Sequence, residues 1–477
     1  MAAPESSSDT DPSGAVPGSN SSQTPRTRVG GSDAGDASGA TGATSPPTNS
    51  GTGSRRRNIT AVLVLVVVVA LAFVFSRLGG NAPGTPSAQP PHHATATSGV
   101  GREMLASAAL QRQQLALQRH DGPAYLASWD PHIPAAQRRG QTIYANLADL
   151  HVVGFAPRYI AADPGPPSAA QRRQLGATAW TADVEVDWRL AGFDQADARS
   201  TVSVTFAMRD GKAYVENMTP AAHQREPVWL LGRLSVRRTP RTLVAATDAY
   251  DASRMSAHLQ QAVGDVHAVL PHWHGGLVAY VPANVQQMDA LLHATTASYR
   301  GIAAVTTTVD GSGQRGAPVA IVVNPPVFDR LGSIGAHVVI SHESTHAATD
   351  AAAVTMPLWV AEGFADYVGV GSVHVPISVS AGTAFREIHH QGLPSHLPTQ
   401  SDFAVGQSGL EATYEQAWLA MKLIAKTYGQ PALVRFYYHV EAHPADLAGA
   451  FHQVLHTSQP AFTRQWQHYL QGLASAR

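Results

Sequence analysis

Apolar side chains recur at two different spacings along this chain, and the change of spacing divides it. Residues Glu103 to Gln118 (EMLASAALQRQQLALQ) carry the period of a helix, and Gly122 to Trp129 opens a second, shorter one after a turn. The period then becomes two: Ala182, Val184, Val186, Trp188 and Leu190 alternate with Asp183, Glu185, Asp187 and Arg189. Val202, Val204, Phe206 and Met208 alternate likewise up to a hairpin turn at Asp210-Gly211, and Ala213 to Met218 adds a further strand. One face of these strands is oily and the other wet, which predicts an antiparallel sheet packed on the leading helices, with Trp129, Trp180 and Trp188 in its core.

Beyond residue 240 strands and helices interleave. Thr242 to Ala246 and Leu277 to Val281 read as strands, Tyr250 to Val269 and Asn284 to Ala297 as helices. A hairpin follows, Ile302 to Val309 and Pro318 to Val323, joined by the turn Asp310 to Gly316. Helical spacing runs from Gly335 through Thr349, restarts at Pro357, a good first-turn residue, and returns over Ala412 to Gly429 and Phe451 to Leu470.

Ahead of all this stands one run with no periodicity, Ile59 to Phe75 (ITAVLVLVVVVALAFVF), apolar on every face. Its length approaches the ~20 residues that span a bilayer, so a transmembrane helix is expected over 55–78. It lies between a Ser/Gly/Thr/Ala/Pro-rich tail, 1–54, expected to be disordered, and a Pro/Gly linker, 79–101. A buried core helix fits those flanks poorly, and a cleaved signal peptide would sit nearer the start and end in a small-residue site. Arg26, Arg28 and Arg55 to Arg57 precede the run and Arg77 alone closely follows it. The positive-inside rule then expects a single-pass cell-membrane protein, N-terminus cytoplasmic and C-terminal domains extracellular, with residues 59–78 in the bilayer.

Composition narrows the chemistry. A net charge of -1 argues against a nucleic-acid partner, and with no cysteine any metal must be held by His, Asp or Glu. The stretch ISHESTHAATD, 340–350, sets His342 and His346 four residues apart on one helix face, with Glu343 after the first. Among 23 histidines such a match arises by accident with a probability on the order of a few per cent, so the pattern alone decides nothing. Two imidazoles leave a zinc ion short of ligands. Glu362, in PLWVAEGFADY (357–367), lies far enough on for the chain to turn back and present a third.

An HExxH helix followed by a W-x-x-E-G-F-A helix resembles the gluzincin zinc peptidases, the thermolysin- and aminopeptidase-like branch of that superfamily. The resemblance implies Zn2+ held by His342, His346 and Glu362, with Glu343 as the general base that activates a zinc-bound water. It also implies that Asp366, one turn after Glu362, orients His342, and that Tyr414, opening the helix ATYEQAWLAMKLIAKTYG, donates to the oxyanion. Ordinary packing for Tyr414 and a solvated face for Asp366 are the competing readings, and His389 and His390 are weaker candidates for the donor. No G-x-M-E-N motif is present, so aminopeptidase activity is not implied, and Pro318 to Val323 is placed like the edge strand that takes an extended substrate. His272 and His274 lack a neighbouring acid and read as surface residues.

Helices followed by a meander over about 102–232 resemble, by element order alone, the nuclear-transport-factor-2-like cone. The expected fold class is therefore α+β: disordered tail, one transmembrane helix, that cone, then from 240 to 477 a mostly helical gluzincin domain with a small N-terminal β-sheet. The expected function is a membrane-anchored extracytoplasmic zinc endopeptidase acting on peptide or protein outside the membrane. Its rivals are a non-catalytic surface receptor or scaffold and a zinc amide hydrolase acting on a non-peptide envelope substrate.

Overall fold

The computed structural model describes residues 96–162, 167–176, 178–247, 250–294, 299, 301–404 and 407–476. It opens with helices α1 (Ala96–Gln118), α2 (Gly122–Leu126) and α3 (Pro134–Asp149). Strand β1 (Val152–Ala162), helix α4 (Ala169–Leu175) and strands β2 (Trp180–Leu190), β3 (Ala198–Arg209) and β4 (Lys212–Pro220) follow. The strands form an antiparallel meander in the order β1-β2-β3-β4. In β2 burial alternates without a break from Trp180 to Leu190. Asp210 and Gly211 both take positive φ, 49° and 73°, giving the two-residue turn whose twist matches its strands.

Three elements of this part, β1, α3 and the short α4, escape the hydropathy pattern. Register shifts between Val153 and Ala156 and between Tyr159 and Ala161 break the period of two in β1. The face that α3 buries is built largely of small or polar residues, Ala136, Gly140 and Asn146 beside Ile143 and Leu147, and so carries little signal.

The second part contains β5 (Leu234–Arg238), β6 (Thr242–Thr247), α5 (Ala252–Val269), β7 (Leu277–Val281), α6 (Val285–Leu292), β8 (Ala304–Thr308) and β9 (Val319–Val323). Helices α7 (Pro325–Phe328), α8 (Gly332–Ala348), α9 (Leu358–Gly369), α10 (Ile377–Ser380), α11 (Gly382–Gln391), α12 (Leu410–Tyr428), α13 (Gln430–Ala442), α14 (Leu447–Leu455) and α15 (Gln459–Ser475) complete it. The helix expected to reach Ala297 stops at Leu292, where His293 adopts a left-handed cap with φ 50°.

Strand order in this second sheet is β5-β6-β7-β9-β8. Pairing is parallel from β6 through β7 to β9 and antiparallel at both ends. The edge strand beside α8 is therefore β8, and β9, expected at the edge, is interior. Both faces of the sheet are buried. Val244, Ala279, Ile321 and Val323 pack into the helical core, whereas Leu243, Val278, Tyr280, Val305 and Val322 pack into the core of the first sheet. One sheet thus walls two cores. Arg225 grips that wall, its guanidinium donating to Thr307 Oγ1 at 3.0 Å and to the Thr308 carbonyl at 2.7 Å.

Among the described residues no helix is long and apolar enough to cross a membrane. Even α1, at 23 residues, carries Arg102, Glu103, Arg112 and several glutamines, polar groups that lipid would leave unsatisfied. This corrects the expected fold class: among the described residues what stands is an α+β arrangement of two sheets and many helices, none of them a membrane-spanning helix. The single-pass cell-membrane location expected from that helix falls with it. The apolar run itself, like the tail over 1–54 and the linker as far as residue 95, lies outside the described residues.

A carboxyl pair is buried in the first part. Asp130 accepts from Arg209 Nε and from the His132 amide at 2.8 Å, and Glu216 lies beside it on β4. Burial, and then the neighbouring Asp130 carboxylate, push Glu216 from 4.5 up to about 8. The protonated carboxyl is thus the form the fold prefers, so its stabilisation is complete below pH 4.5 and is lost as pH rises through about 8. Glu216→Gln, which keeps a donor towards Asp130 without the ionisation, should flatten the decline in melting temperature across that interval. Parallel melting curves of the two proteins from pH 4.5 upward are the check.

Candidate metal centre

Helix α8 is buried on almost every side, including every residue from Val338 to His346, which is why its sequence shows no amphipathic stripe. It packs between α5, α9 and β8. Towards α5 it is pinned by Asp265, whose Oδ2 accepts from Ser341 Oγ at 2.6 Å and lies 3.0 Å from His337 Nε2. Towards α9 it presents His342 and His346, one turn apart, and α9 answers with Glu362 and Asp366, also one turn apart.

Glycines allow that crossing. A Cβ at Gly369 would come within 2.8 Å of the Val338 carbonyl oxygen and 3.1 Å of the His342 amide nitrogen. A Cβ at Gly363 would come within 2.6 Å of the Ala417 carbonyl oxygen on α12. Only hydrogen at these two positions lets α9 close on α8 on one side and on α12 on the other.

The close approach has a chemical consequence. Asp366 Oδ1 lies 2.8 Å from His342 Nδ1, and since a carboxylate only accepts, Nδ1 keeps a proton and Nε2 is the nitrogen left to give one up and coordinate a metal ion. That Nε2 faces His346 Nε2 at 3.0 Å and Glu362 Oε2 at 3.3 Å, with His346 Nε2 to Glu362 Oε2 at 3.6 Å. Neither carboxylate oxygen of Glu362, which is 0 % exposed, has a hydrogen-bond partner among the described residues. A buried carboxylate against two imidazole nitrogens is tolerated only where positive charge compensates it, as a protonated ring or a bound metal ion does. His342, His346 and Glu362 can together hold a metal ion, their ligand atoms all lying within 4.8 Å of one another.

Electrostatics point the same way. Burial alone would depress the His342 ring, but Asp366 and then Glu362 outweigh it and push the ring up to about 10, so this pocket favours positive charge. Burial works against ionisation of Glu362 too, yet the two imidazoles hold it below its ordinary value. Asp366 is raised by burial. Glu343, next to these ligands, is pushed up to about 7 by burial, and Thr306 Oγ1 donates to its Oε2 at 2.6 Å.

Tyr414 on α12 is fully buried, its ring edge-on to Phe403 at 4.7 Å. Burial, and then the charges of Glu362, Asp366 and Glu343, hold its phenol well above the ordinary value, so it stays protonated beside the centre. The other candidate donors are elsewhere: His389 and His390 are exposed on the last turn of α11. His272 and His274 are exposed on either side of Trp273 and belong to no metal-binding group among the described residues.

What spacing alone does not reveal are Thr306, Gly363, Gly369 and the Asp265 anchor, each of which acts across elements far apart in sequence. The centre is also closed, none of His342, Glu343, His346 and Glu362 being more than 2 % exposed.

Fold and centre together define an α+β protein with a buried His-His-Glu group suited to a metal ion. No family model matches the chain, and no curated protein or solved structure matches it.

If Gly369 sets the helix spacing, Gly369→Ala should force α9 off α8, costing about 1–3 kcal/mol of stability and weakening metal binding. Melting curves with and without added divalent metal ion report both, any metal-induced rise being smaller in the variant than in the wild type. An unchanged melting temperature and an unchanged metal response would contradict this account of the crossing.

Proposed function

We propose that this chain is a zinc-dependent hydrolase of the gluzincin type that cuts peptide bonds within a chain. The observation that carries the reading is the hydrogen bond from His342 Nδ1 to Asp366, which turns the ring so that Nε2 faces His346 and Glu362. Two imidazole nitrogens with one carboxylate oxygen is a donor set that suits zinc, whereas calcium and magnesium take mostly oxygen ligands. Three protein ligands also leave one position for water or substrate, as catalytic rather than structural zinc sites do.

A zinc ion held there would supply a Lewis acid that polarises a substrate carbonyl and acidifies water. The rest falls to the chain's own residues. Glu343 takes a proton from the attacking water as the oxygen bonds to the carbonyl carbon, then delivers it to the amide nitrogen as the carbon–nitrogen bond breaks. Asp366 holds the His342 ring in one tautomer, and the Tyr414 phenol serves as donor to the oxyanion. As the end strand of its sheet, though buried along its length, β8 is the element with which an extended peptide would pair. Ala303 and Val309 pair with Asn324 and Pro318 across the hairpin, so the alternation turns the backbone N–H and C=O of Thr306 away from β9.

One observation favours a second reading, a scaffold that binds metal without turnover: the near-complete burial of the centre. Activity measurements separate the two. Purified protein should contain about one zinc per chain and hydrolyse casein or an internally quenched peptide pool, while Glu343→Gln keeps the zinc and loses about 100- to 10,000-fold in rate. Zinc without hydrolysis in both proteins would favour the scaffold, and absence of zinc after reconstitution would sink both.

A further inference from the structure

We infer that Thr306 is a positioning residue that holds the Glu343 carboxylate off the metal and ready to act as base, an inference that rests on the function proposed above. Thr306 lies in the middle of β8, fully buried, with its side chain on the helix-facing side of the sheet. Its hydroxyl is 2.6 Å from Glu343 Oε2 and 2.9 Å from the Glu343 main-chain carbonyl oxygen. One hydroxyl therefore touches both oxygen-bearing groups of the same residue and folds the carboxylate back over its own turn of α8.

The need for such a clamp follows from the neighbours. Glu343 is bonded in sequence to one metal ligand and lies beside a second carboxylate, Glu362, that is itself a ligand. A glutamate side chain with three free torsions next to a cation will swing in and coordinate it, filling the position that catalysis keeps open. Nothing in the residue type distinguishes Glu343 from Glu362, since both are buried carboxylates one helix apart. What distinguishes them is the partner: Glu362 Oε2 faces imidazole nitrogens, whereas Glu343 Oε2 faces a hydroxyl.

Thr306 can act as a fixed point because its strand is held from both sides. Thr306 pairs with Ile321 on β9, and the next two residues are gripped by Arg225 from the first part of the chain. A threonine in a buried strand often satisfies its hydroxyl on the nearest carbonyl and does no more. Here the carbonyl is the longer of the two contacts, and the carboxylate is the shorter.

Thr306→Val removes the hydroxyl and keeps the shape, and Thr306→Ser keeps the hydroxyl and drops a methyl. In zinc-reconstituted full-length protein, with the internally quenched peptide pool as substrate, Thr306→Val should retain its zinc and its KM but lose about 10- to 100-fold in kcat. Thr306→Ser should recover most of that loss. Crystal structures supply a readout apart from turnover: the Glu343 carboxylate should stay in place in Thr306→Ser and move by more than about 0.5 Å in Thr306→Val. An unmoved carboxylate in Thr306→Val overturns the inference, whatever the activity. If Glu343→Gln is inactive and Thr306→Val fully active, only the role of Thr306 fails. If Glu343→Gln is as active as wild type, the proposed function itself fails.

Discussion

The centre depends on how closely two helices cross. At the crossing of α8 and α9 stands Gly369, where any side chain would strike the Val338 carbonyl. That proximity brings Asp366 to 2.8 Å from His342 Nδ1, and the resulting hydrogen bond fixes which ring nitrogen is left to coordinate. Everything else in the group follows from this orientation: the facing His346 nitrogen at 3.0 Å, the Glu362 oxygen at 3.3 Å, and the surplus of negative charge that favours a cation. The buried carboxylates of Glu362 and Asp366 are tolerated here because each has an imidazole partner, and removing a partner would leave one uncompensated.

The sheet behind the centre explains why the chain's two parts belong together. Its strands bury one face against the helices that carry the ligands and the other against the core of the meander. β8 is where these roles meet. From one side Arg225 holds Thr307 and the Thr308 carbonyl, and from the other Thr306 holds Glu343. The same strand ends its sheet and is buried along its whole length, so the element that holds Glu343 also turns the Thr306 backbone away from β9.

Legibility in the sequence followed the range of each interaction. The His342–His346 spacing and the Glu362–Asp366 spacing are internal to single helices, so the period of 3.6 exposes them directly, and the alternation of β2 and β3 is equally local. The order of strands is not local. β9 inserts between β7 and β8 by parallel pairing, which no hairpin pattern announces, and so the expected edge strand was the wrong partner of the right hairpin. β5 occupies a stretch too short and too charged to stand out, and bulges hide β1. Thr306 and Gly369 gain their meaning only from neighbours 37 residues away and 27 residues away, which spacing rules do not reach. Length and apolarity made 59–78 read as a membrane span, and no helix among the described residues has both properties.

The central claim is that His342, His346 and Glu362 bind one metal ion. Anomalous diffraction from crystals of the zinc-reconstituted protein, recorded on either side of the zinc absorption edge, tests it without reference to any substrate. The account predicts a single strong peak present only above the edge, about 2.0–2.2 Å from the two Nε2 atoms and a Glu362 oxygen. No peak there, or one bound to other residues, would contradict it.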